Sequence, residues 1–354
     1  MVKFIHMADL HLDMPFTNLN KEKGLSAVRR KEQRDALKAV VDRAITEKVD
    51  FILIAGDFFE YNYVRKSTID YIIELFSSVD IPIFISPGNH DPITEDSYYR
   101  TLEWPNNVHI FSDLEKISLG NVNIYGKGFK TIKDNGEGLE NFVVENEEEL
   151  NIVLIHGTLD LPEAFSEGYN PLNSKQVKEW NADYIALGHI HKMNEMKNNA
   201  VYPGSLMSLG FDEPGEHGAM LVRLDKNKAK TEFITFDSRR CETVALDYTE
   251  KKFEDEVISS LEKDLKNYSS RSFMKLDIDV SDNADIDEEV IDYLLKERFE
   301  YFELKINRIR DYEEIACEKN VKGLFVRKML ERIKNGDKVA EKALKIGLRA
   351  LEGK

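Results

Sequence analysis

The amino-acid sequence predicts an α/β chain. A first domain mixes parallel and antiparallel strands with helices outside, and a small second α/β domain and a helical tail follow. Three observations carry this. Short apolar runs, rich in β-branched and aromatic residues, alternate with helical patterns over residues 1–86. After residue 107 the texture changes to successive short strands. From about 239 a second β-α-β-α-β succession occupies some 70 residues.

The runs that read as buried strands are KFIHMA (3–8), FILIA (51–55), IPIFIS (81–86), NIVLIH (151–156) and DYIALG (183–188). They are too short for helices and have the residue types that fit a pleated surface. Between them, residues 26–48 place Val28, Leu37, Val40, Val41, Ala44 and Ile45 at helical spacing, with Ser26 as the expected N-cap. Residues 66–79 repeat the pattern with Ile69, Ile72, Ile73 and Phe76. VHIF, EKISLG and NVNIYGKGF read as further strands, expected to be antiparallel. GAMLVRLDKNKAKTEFITF (218–236) reads as a hairpin turning at DKNKAK. The acidic stretch 133–150 reads as a solvated loop.

These patterns set three expected domains: 1–238, 239–312 and 313–354. In the second, RCETVALDY, SFMKLDIDV and YFELKINRI are strands, and FEDEVISSLEKDLKNY and DIDEEVIDYLLKERF are helices. The tail is helical in pattern and basic. Its stretch 324–333 is amphipathic through Leu324, Phe325, Met329, Leu330 and Ile333.

Composition narrows the function. The chain has 354 residues, 42% of them hydrophobic, which is enough for more than one core. It has no run of 18 apolar residues, so no membrane span is expected. The N-terminus lacks the basic and apolar regions of a secretory signal. Cys241 and Cys317 are the only cysteines and share no ligand spacing, so they read as reduced thiols of a cytoplasmic protein. A thiolate zinc site is thereby set aside, and any metal must take His, Asp, Glu or Asn. The net charge of −16 argues against a nucleic-acid coat protein. The charge is uneven, however. Residues 319–354 hold eleven Lys/Arg and four Asp/Glu, a net of +7 that leaves −23 on the rest.

Chemistry gathers at the strand ends. Asp9-x-His11 follows the first strand, Gly56-Asp57 the second, and Gly88-Asn89-His90-Asp91 the third. His156-Gly157 closes the strand 151–156, and Gly188-His189-x-His191 follows the next. Ligand sites of open α/β sheets lie at the carboxyl ends of strands. Glycine beside each turn lets the backbone bend and approach closely. Taken singly the motifs are weak: an Asp-x-His is more often two surface side chains, and Gly-Asn-His-Asp also suits a plain turn. Five in succession, each at a strand end, are specific. Three Asp, one Asn and five His make a mixed O/N set suited to Mn, Fe, Co or Zn. There are ligands enough for two ions, with Asp57 as the natural bridging carboxylate. Such a pair suits in-line displacement at phosphorus. His6, His109 and His217 carry no motif and read as structural or exposed.

The set ADLHLD (8–13), GDFFE (56–60), GNHD (88–91), IHG (155–157) and GHIH (188–191) resembles the calcineurin-like metallophosphoesterase superfamily. Within it, HMADLHLD near the N-terminus, YPGSL (202–206) and the small domain after 239 resemble the SbcD-type DNA double-strand-break repair exonucleases. The resemblance implies a mixed β-sandwich flanked by helices, with a DNA-facing cap. It implies one metal ion on Asp9, His11, Asp57 and His191, and a second on Asp57, Asn89, His156 and His189. His90 would contact the scissile phosphate, and Asp91 would orient His90 or shape its loop. The implied activity is Mn-dependent 3′-to-5′ exonuclease and endonuclease action on DNA. The implied partner is an SMC-like ATPase with a long coiled coil; the tail 313–354, GLFVRKMLERI in particular, is the candidate docking element, the alternative being that its apolar residues pack on their own domain. The implied assembly is a homodimer through helices near 66–79 and 92–103, with Tyr71, Tyr98, Tyr99 and Leu102 as candidate contacts. The alternative on the same metals is a small-molecule phosphodiesterase or phosphatase. One departure stands out: archaeal members carry a histidine where this chain has Glu60. A carboxylate there is suited to hydrogen-bond an imidazolium at His90.

Overall fold

The structure is a computed structural model that describes residues 1–353 except 18, 20–23, 227 and 238. It divides into two compact units, Met1–Cys241 and Glu242–Lys354.

The first unit runs β1 (Val2–Met7), α1 (Leu25–Glu47), β2 (Phe51–Ile54), α2 (Lys66–Ser77), β3 (Ile83–Ile85), α3 (Tyr98–Thr101) and β4 (Val108–Ile110). It continues with β5 (Glu115–Leu119), β6 (Val122–Lys127), β7 (Leu150–His156), β8 (Thr158–Leu159), α4 (Glu163–Ser166), β9 (Pro171–Leu172) and α5 (Ser174–Glu179). β10 (Tyr184–Gly188), β11 (Asn194–Glu195), β12 (Ala200–Tyr202), β13 (Gly218–Asp225) and β14 (Lys228–Thr235) complete it. Two six-stranded sheets form, ordered β14-β13-β1-β2-β3-β4 and β11-β12-β10-β7-β6-β5. β1 to β4 are parallel and β13 joins them antiparallel. In the second sheet β6, β7, β10 and β12 are parallel, with antiparallel strands at both edges.

Period-2 alternation builds the layers. Phe4, Phe51, Leu53, Ile152, Leu154, Tyr184 and Ala186 form the core between the sheets. Their neighbours Ile5, Met7, Ile52 and Ile54 turn outward onto Leu37, Val40 and Val41 of α1 and Ile69, Ile72 and Phe76 of α2. On the other side Val153, Ile155, Ile185 and Leu187 pack with Val177 of α5 and Trp180. The unit is thus a mixed β-sandwich flanked by helices. His6 is a core residue, its Nδ1 3.0 Å from the Tyr184 hydroxyl.

Three expectations need correction. α1 starts at Leu25 on Gly24, which is left-handed at φ 84°, and no side chain caps it, so Ser26 lies inside the helix. β4 is parallel to β3 and belongs to the first sheet, whereas β5 and β6 are antiparallel to one another. Tyr99 is buried and donates to Asp91 (2.7 Å), so it is a core residue rather than a surface contact. Tyr98 and Leu102 pack half-buried against the same core, and the Tyr71 hydroxyl donates to the Arg34 carbonyl (3.3 Å). The 218–236 hairpin forms in register as β13 and β14, and Asn227 at its turn lies outside the described residues.

In the second unit, β15 (Cys241–Tyr248), α6 (Glu254–Leu265), β16 (Phe273–Ser281), α7 (Glu288–Arg298) and β17 (Tyr301–Ile309) precede α8 (Tyr312–Ala316), α9 (Val321–Lys334) and α10 (Ala340–Leu351). The sheet is ordered β15-β16-β17, with β16 and β17 parallel. The last three helices have their own core of Ile315, Ala316, Val326, Leu344 and Leu348. Phe325, Met329, Leu330 and Ile333 pack against it, and of the amphipathic stripe only Leu324 is exposed. Most of that stripe is therefore taken up by its own helices. Among the described residues no helix is long and apolar enough to cross a membrane.

Candidate metal centre

The carboxyl ends of β1, β2 and β3 in one sheet and of β7 and β10 in the other converge. Gly188 shows how closely: a Cβ there would lie 1.8 Å from the Ala55 carbonyl oxygen, so only glycine lets the two strand ends meet. Gly88 does the same locally, since its Cβ would sit 2.2 Å from Asp57 Oδ1.

All nine candidate residues arrive in this one region, four of them on strained backbone. Asp9 (φ 52°), His11 (φ 47°), Asp57 (φ 47°) and His189 (φ 100°) all have positive φ. Left-handed backbone costs roughly 1–2 kcal/mol per residue, and it persists where the surroundings over-determine it. Here bonds between loops do so: Asp9 N–H donates to Gly56 O (3.1 Å), His11 N–H to Asp57 O (2.9 Å) and Leu12 N–H to Phe58 O (3.0 Å).

The side chains form two clusters. Asp9, His11 and His191 bring ligand atoms together in one, and Asp57, His156 and His189 in the other; a third group, His11, Asp57 and His90, overlaps both. His189 and His191 thus fall in different clusters. Asp57 reaches both: its Oδ2 is 3.7 Å from His11 Nε2 and 3.3 Å from His156 Nε2, while its Oδ1 accepts from His90 N–H (2.8 Å). Asn89 Oδ1 lies 3.1 Å from His156 Nε2. His11 Nε2 and His191 Nε2 are 3.2 Å apart. Asp9 accepts from His189 N–H (3.0 and 3.1 Å), tying the β1 loop to the β10 loop.

The outward nitrogens of His11, His156 and His191 are engaged. His11 Nδ1 meets Glu60 (2.8 Å), His156 Nδ1 meets the Ala55 carbonyl (2.8 Å) and His191 Nδ1 meets Glu213. Each imidazole thereby turns Nε2 inward, the arrangement by which oxygen partners orient metal-ligating histidines. Two inward nitrogens 3.2 Å apart beside a buried carboxylate are a poor arrangement for protein groups alone and a good one around a cation. The residues fit two divalent ions taking mixed O/N ligands.

The electrostatics agree. Burial opposes a charge on His156, yet Asp57 and Asp9 hold its pKa at about 9. His191 is likewise about 9, burial being outweighed by Glu213 and Asp9. Asp57 is held far below the usual carboxylate range, since His156, His11 and His90 overcome its burial. His189 is lowered to about 3 by burial and by His156. Positive charge is stabilised on His156 and His191, where a cation would otherwise supply it.

His90 stands beside both clusters, its ring 4.7 Å from that of His11 and its side chain 44% exposed. Its Nδ1 is 3.1 Å from Glu60, which raises its pKa. Asp91 is fully buried and accepts from Asp57 N–H (3.1 Å), Phe58 N–H (2.9 Å), Gly88 N–H (2.7 Å) and the Tyr99 hydroxyl. Those bonds shape the loops. No hydrogen bond joins Asp91 to the His90 ring among the described residues, so Glu60, not Asp91, holds that ring.

Sequence reasoning missed Glu213 and Tyr169. Glu213 Oε2 also accepts from Ser205 Oγ (3.3 Å) and Leu209 N–H (3.2 Å), and Tyr169 stacks on His189 at 4.9 Å. Glu213 sits in GFDEPGEHG between Asp212 and Glu216, with no spacing to single it out. Glu213→Ala frees the His191 ring, and we expect divalent-ion affinity to fall roughly 10–100-fold. Competition with a fluorescent chelator measures this; unchanged affinity would remove Glu213 from the site.

The strand order, the converging loops and the two clusters joined by one aspartate define a phosphoesterase. The chain belongs to the calcineurin-like phosphoesterase family, whose model matches residues 2–193. It is 32% identical over 263 residues to the uncharacterized metallophosphoesterase YhaO of Bacillus subtilis, covering 70% of this chain and 64% of that protein. It is 26% identical over 374 aligned positions to the DNA double-strand break repair protein Mre11 of Archaeoglobus fulgidus, covering 90% and 77%. To a subunit of the SbcCD nuclease of Staphylococcus saprophyticus it is 26% identical over 300 residues, covering 75% and 77%. The chain thus spans less than two thirds of the Bacillus relative's length and about three quarters of the other two.

Proposed function

We propose that the chain is a two-metal phosphodiesterase acting as a DNA nuclease. The observation that carries this is Asp57 Oδ2, placed between His11 Nε2 and His156 Nε2 with His90 alongside. Asp9, His11, Asp57 and His191 would hold one ion, and Asp57, Asn89, His156 and His189 the other. Bound ions of this kind neutralise phosphate charge and make water a nucleophile near neutral pH. The chain's own residues do the rest. His90, held at Nδ1, presents Nε2 to the substrate, to stabilise charge on the phosphate or protonate the leaving oxygen. Asp91 keeps the β2 and β3 loops in register with it.

Similarity to a DNA double-strand break repair protein and to a component of an SbcCD nuclease supports DNA as the substrate. The motif resemblance extends the proposal to 3′-to-5′ exonuclease and endonuclease action, manganese as the ion, an SMC-like ATPase as partner and a homodimer as the working form. On this reading the ATPase meets the apolar residues that α9 leaves exposed, Val321 and Leu324.

The test is Mn-dependent degradation of end-labelled duplex DNA. His90→Ala is expected to keep two Mn ions per chain and lose roughly 10²–10⁴ in rate, the range for one acid–base group. An active His90→Ala would sink its assignment. Faster hydrolysis of cyclic nucleotides or phosphomonoesters than of DNA would point instead to a small-molecule phosphoesterase.

A further inference from the structure

Glu60 occupies a junction. Its N–H donates to Leu12 O (3.0 Å), beside His11, and the next residue's N–H donates to His90 O (2.9 Å). Its own carbonyl accepts from Tyr63 N–H (2.9 Å) and Val64 N–H (2.7 Å), which closes the turn before α2. The backbone around Glu60 is thus bonded to the loop of each histidine it touches. The side chain, 13% exposed, places Oε1 2.8 Å from His11 Nδ1, and both Oε1 and Oε2 lie 3.1 Å from His90 Nδ1.

An ionised carboxylate can only accept, so both rings must donate from Nδ1. A glutamate carboxyl of ordinary acidity is ionised near neutral pH. We propose that Glu60 is a shared positioning residue, one carboxylate fixing the proton of both His11 and His90 on Nδ1. It thereby sets the ion-facing nitrogen of one ring and the substrate-facing nitrogen of the other together. This rests on the reading of His11 as a ligand and His90 as the group facing the phosphate. It adds a reason for their coupling: a change at either ring is felt at the other through two oxygens of one group. If the His90 ring turns over, Oε2 loses the donor 3.1 Å away in a mostly buried position, a loss that costs more than the bond itself is worth.

Glu60→Gln is the discriminating change because it keeps the shape. Its amide offers one accepting oxygen and one donating nitrogen. Only one ring can still donate from Nδ1; the other must accept there and carry its proton on Nε2. On His11 that proton blocks the ion-facing lone pair. On His90 it removes the partner that supports a charged ring.

Nitrogen-15 spectra of histidine-labelled full-length protein, loaded with diamagnetic Zn²⁺, read the tautomers directly. His11→Asn and His90→Asn spectra assign the signals. In the wild type both rings are expected to be protonated at Nδ1. In Glu60→Gln one of them should move its proton to Nε2. Correspondingly, either Mn²⁺ affinity by calorimetry or kcat on bis(p-nitrophenyl) phosphate at saturating Mn²⁺ should fall roughly 10–100-fold, the usual cost of losing a ligand's orienting partner. KM should hold. Both rings remaining Nδ1-protonated in Glu60→Gln would overturn the proposal. So would Mn²⁺ affinity and kcat that both stay within about twofold. A wild type with these tautomers and two bound Mn²⁺ that leaves DNA uncut would overturn the nuclease reading and leave the Glu60 assignment standing.

Discussion

Asp57→Ala is expected to abolish hydrolysis and to take the chain from two bound Mn ions to fewer than one. Asp57 reaches both clusters, with Oδ2 3.3 Å from His156 Nε2 and 3.7 Å from His11 Nε2. Truncation removes the anion that both positive centres face, and it frees the His90 N–H that Oδ1 accepts at 2.8 Å. Metal catalysis supplies several kcal/mol of transition-state stabilisation. At 1.36 kcal/mol per factor of ten, the rate should fall on the order of 10³–10⁵-fold. Elemental analysis of the dialysed protein and hydrolysis of end-labelled DNA check this together. Two retained ions, or a rate within tenfold of the wild type, would show that the two clusters do not share this residue. Asp57→Asn separates the parts: it keeps an acceptor for His90 N–H but loses the charge.

The largest stability loss should come from Arg29→Ala, remote from the metal centre. Arg29 is 1% exposed on α1 and donates to Glu32 (3.0 Å), Asp237 (3.3 Å) and the Ser208 carbonyl. Arg239, also buried, closes the network on Glu32 at 3.1 Å. The network ties α1 to the chain that follows β14. Breaking a buried pair from one side leaves the other charge uncompensated, at about 3–5 kcal/mol. For a unit of this size that is on the order of a 10 °C fall in melting temperature. Calorimetry of the full chain measures it. Lys31→Ala, two residues along from Arg29, breaks an exposed pair with Asp35 and should cost no more than about 1 kcal/mol. Equal shifts for the two variants would mean that the buried network contributes nothing beyond a surface pair.

Much of the fold and of the metal centre is legible in the sequence. Strands of the sandwich carry their alternation openly: in β1, β2, β7 and β10 every second residue enters the inter-sheet core and its neighbour leaves it. The candidate ligands are legible because each follows a strand and a glycine accompanies most of them. What stays hidden depends on contacts distant in sequence. β4 has three residues, too few to reveal whether β3 receives it in parallel. The α1 cap is conformational: Gly24 takes a left-handed φ that no side-chain pattern announces. Tyr99 reads equally as a surface or core aromatic until Asp91 is seen accepting from it. Glu213 becomes meaningful only when a fold brings it to His191, 22 residues away. Glu60 is the intermediate case, noticeable because a carboxylate stands near Asp57, yet its second bond, to His11, has no trace in the spacing.

The candidate ligands come from both halves of the sandwich: Asp9, His11, Asp57 and Asn89 follow strands of one sheet, and His156, His189 and His191 belong to the other. An ion held there is bound by the folded arrangement and not by the unfolded chain, so occupancy and folding are thermodynamically linked. At a free concentration one hundred times its dissociation constant, a single bound ion adds about 2.7 kcal/mol to stability. The order in which divalent cations raise the melting temperature is then the order in which the site prefers them. Thermal endurance becomes a measure of the ion supply in which the protein works.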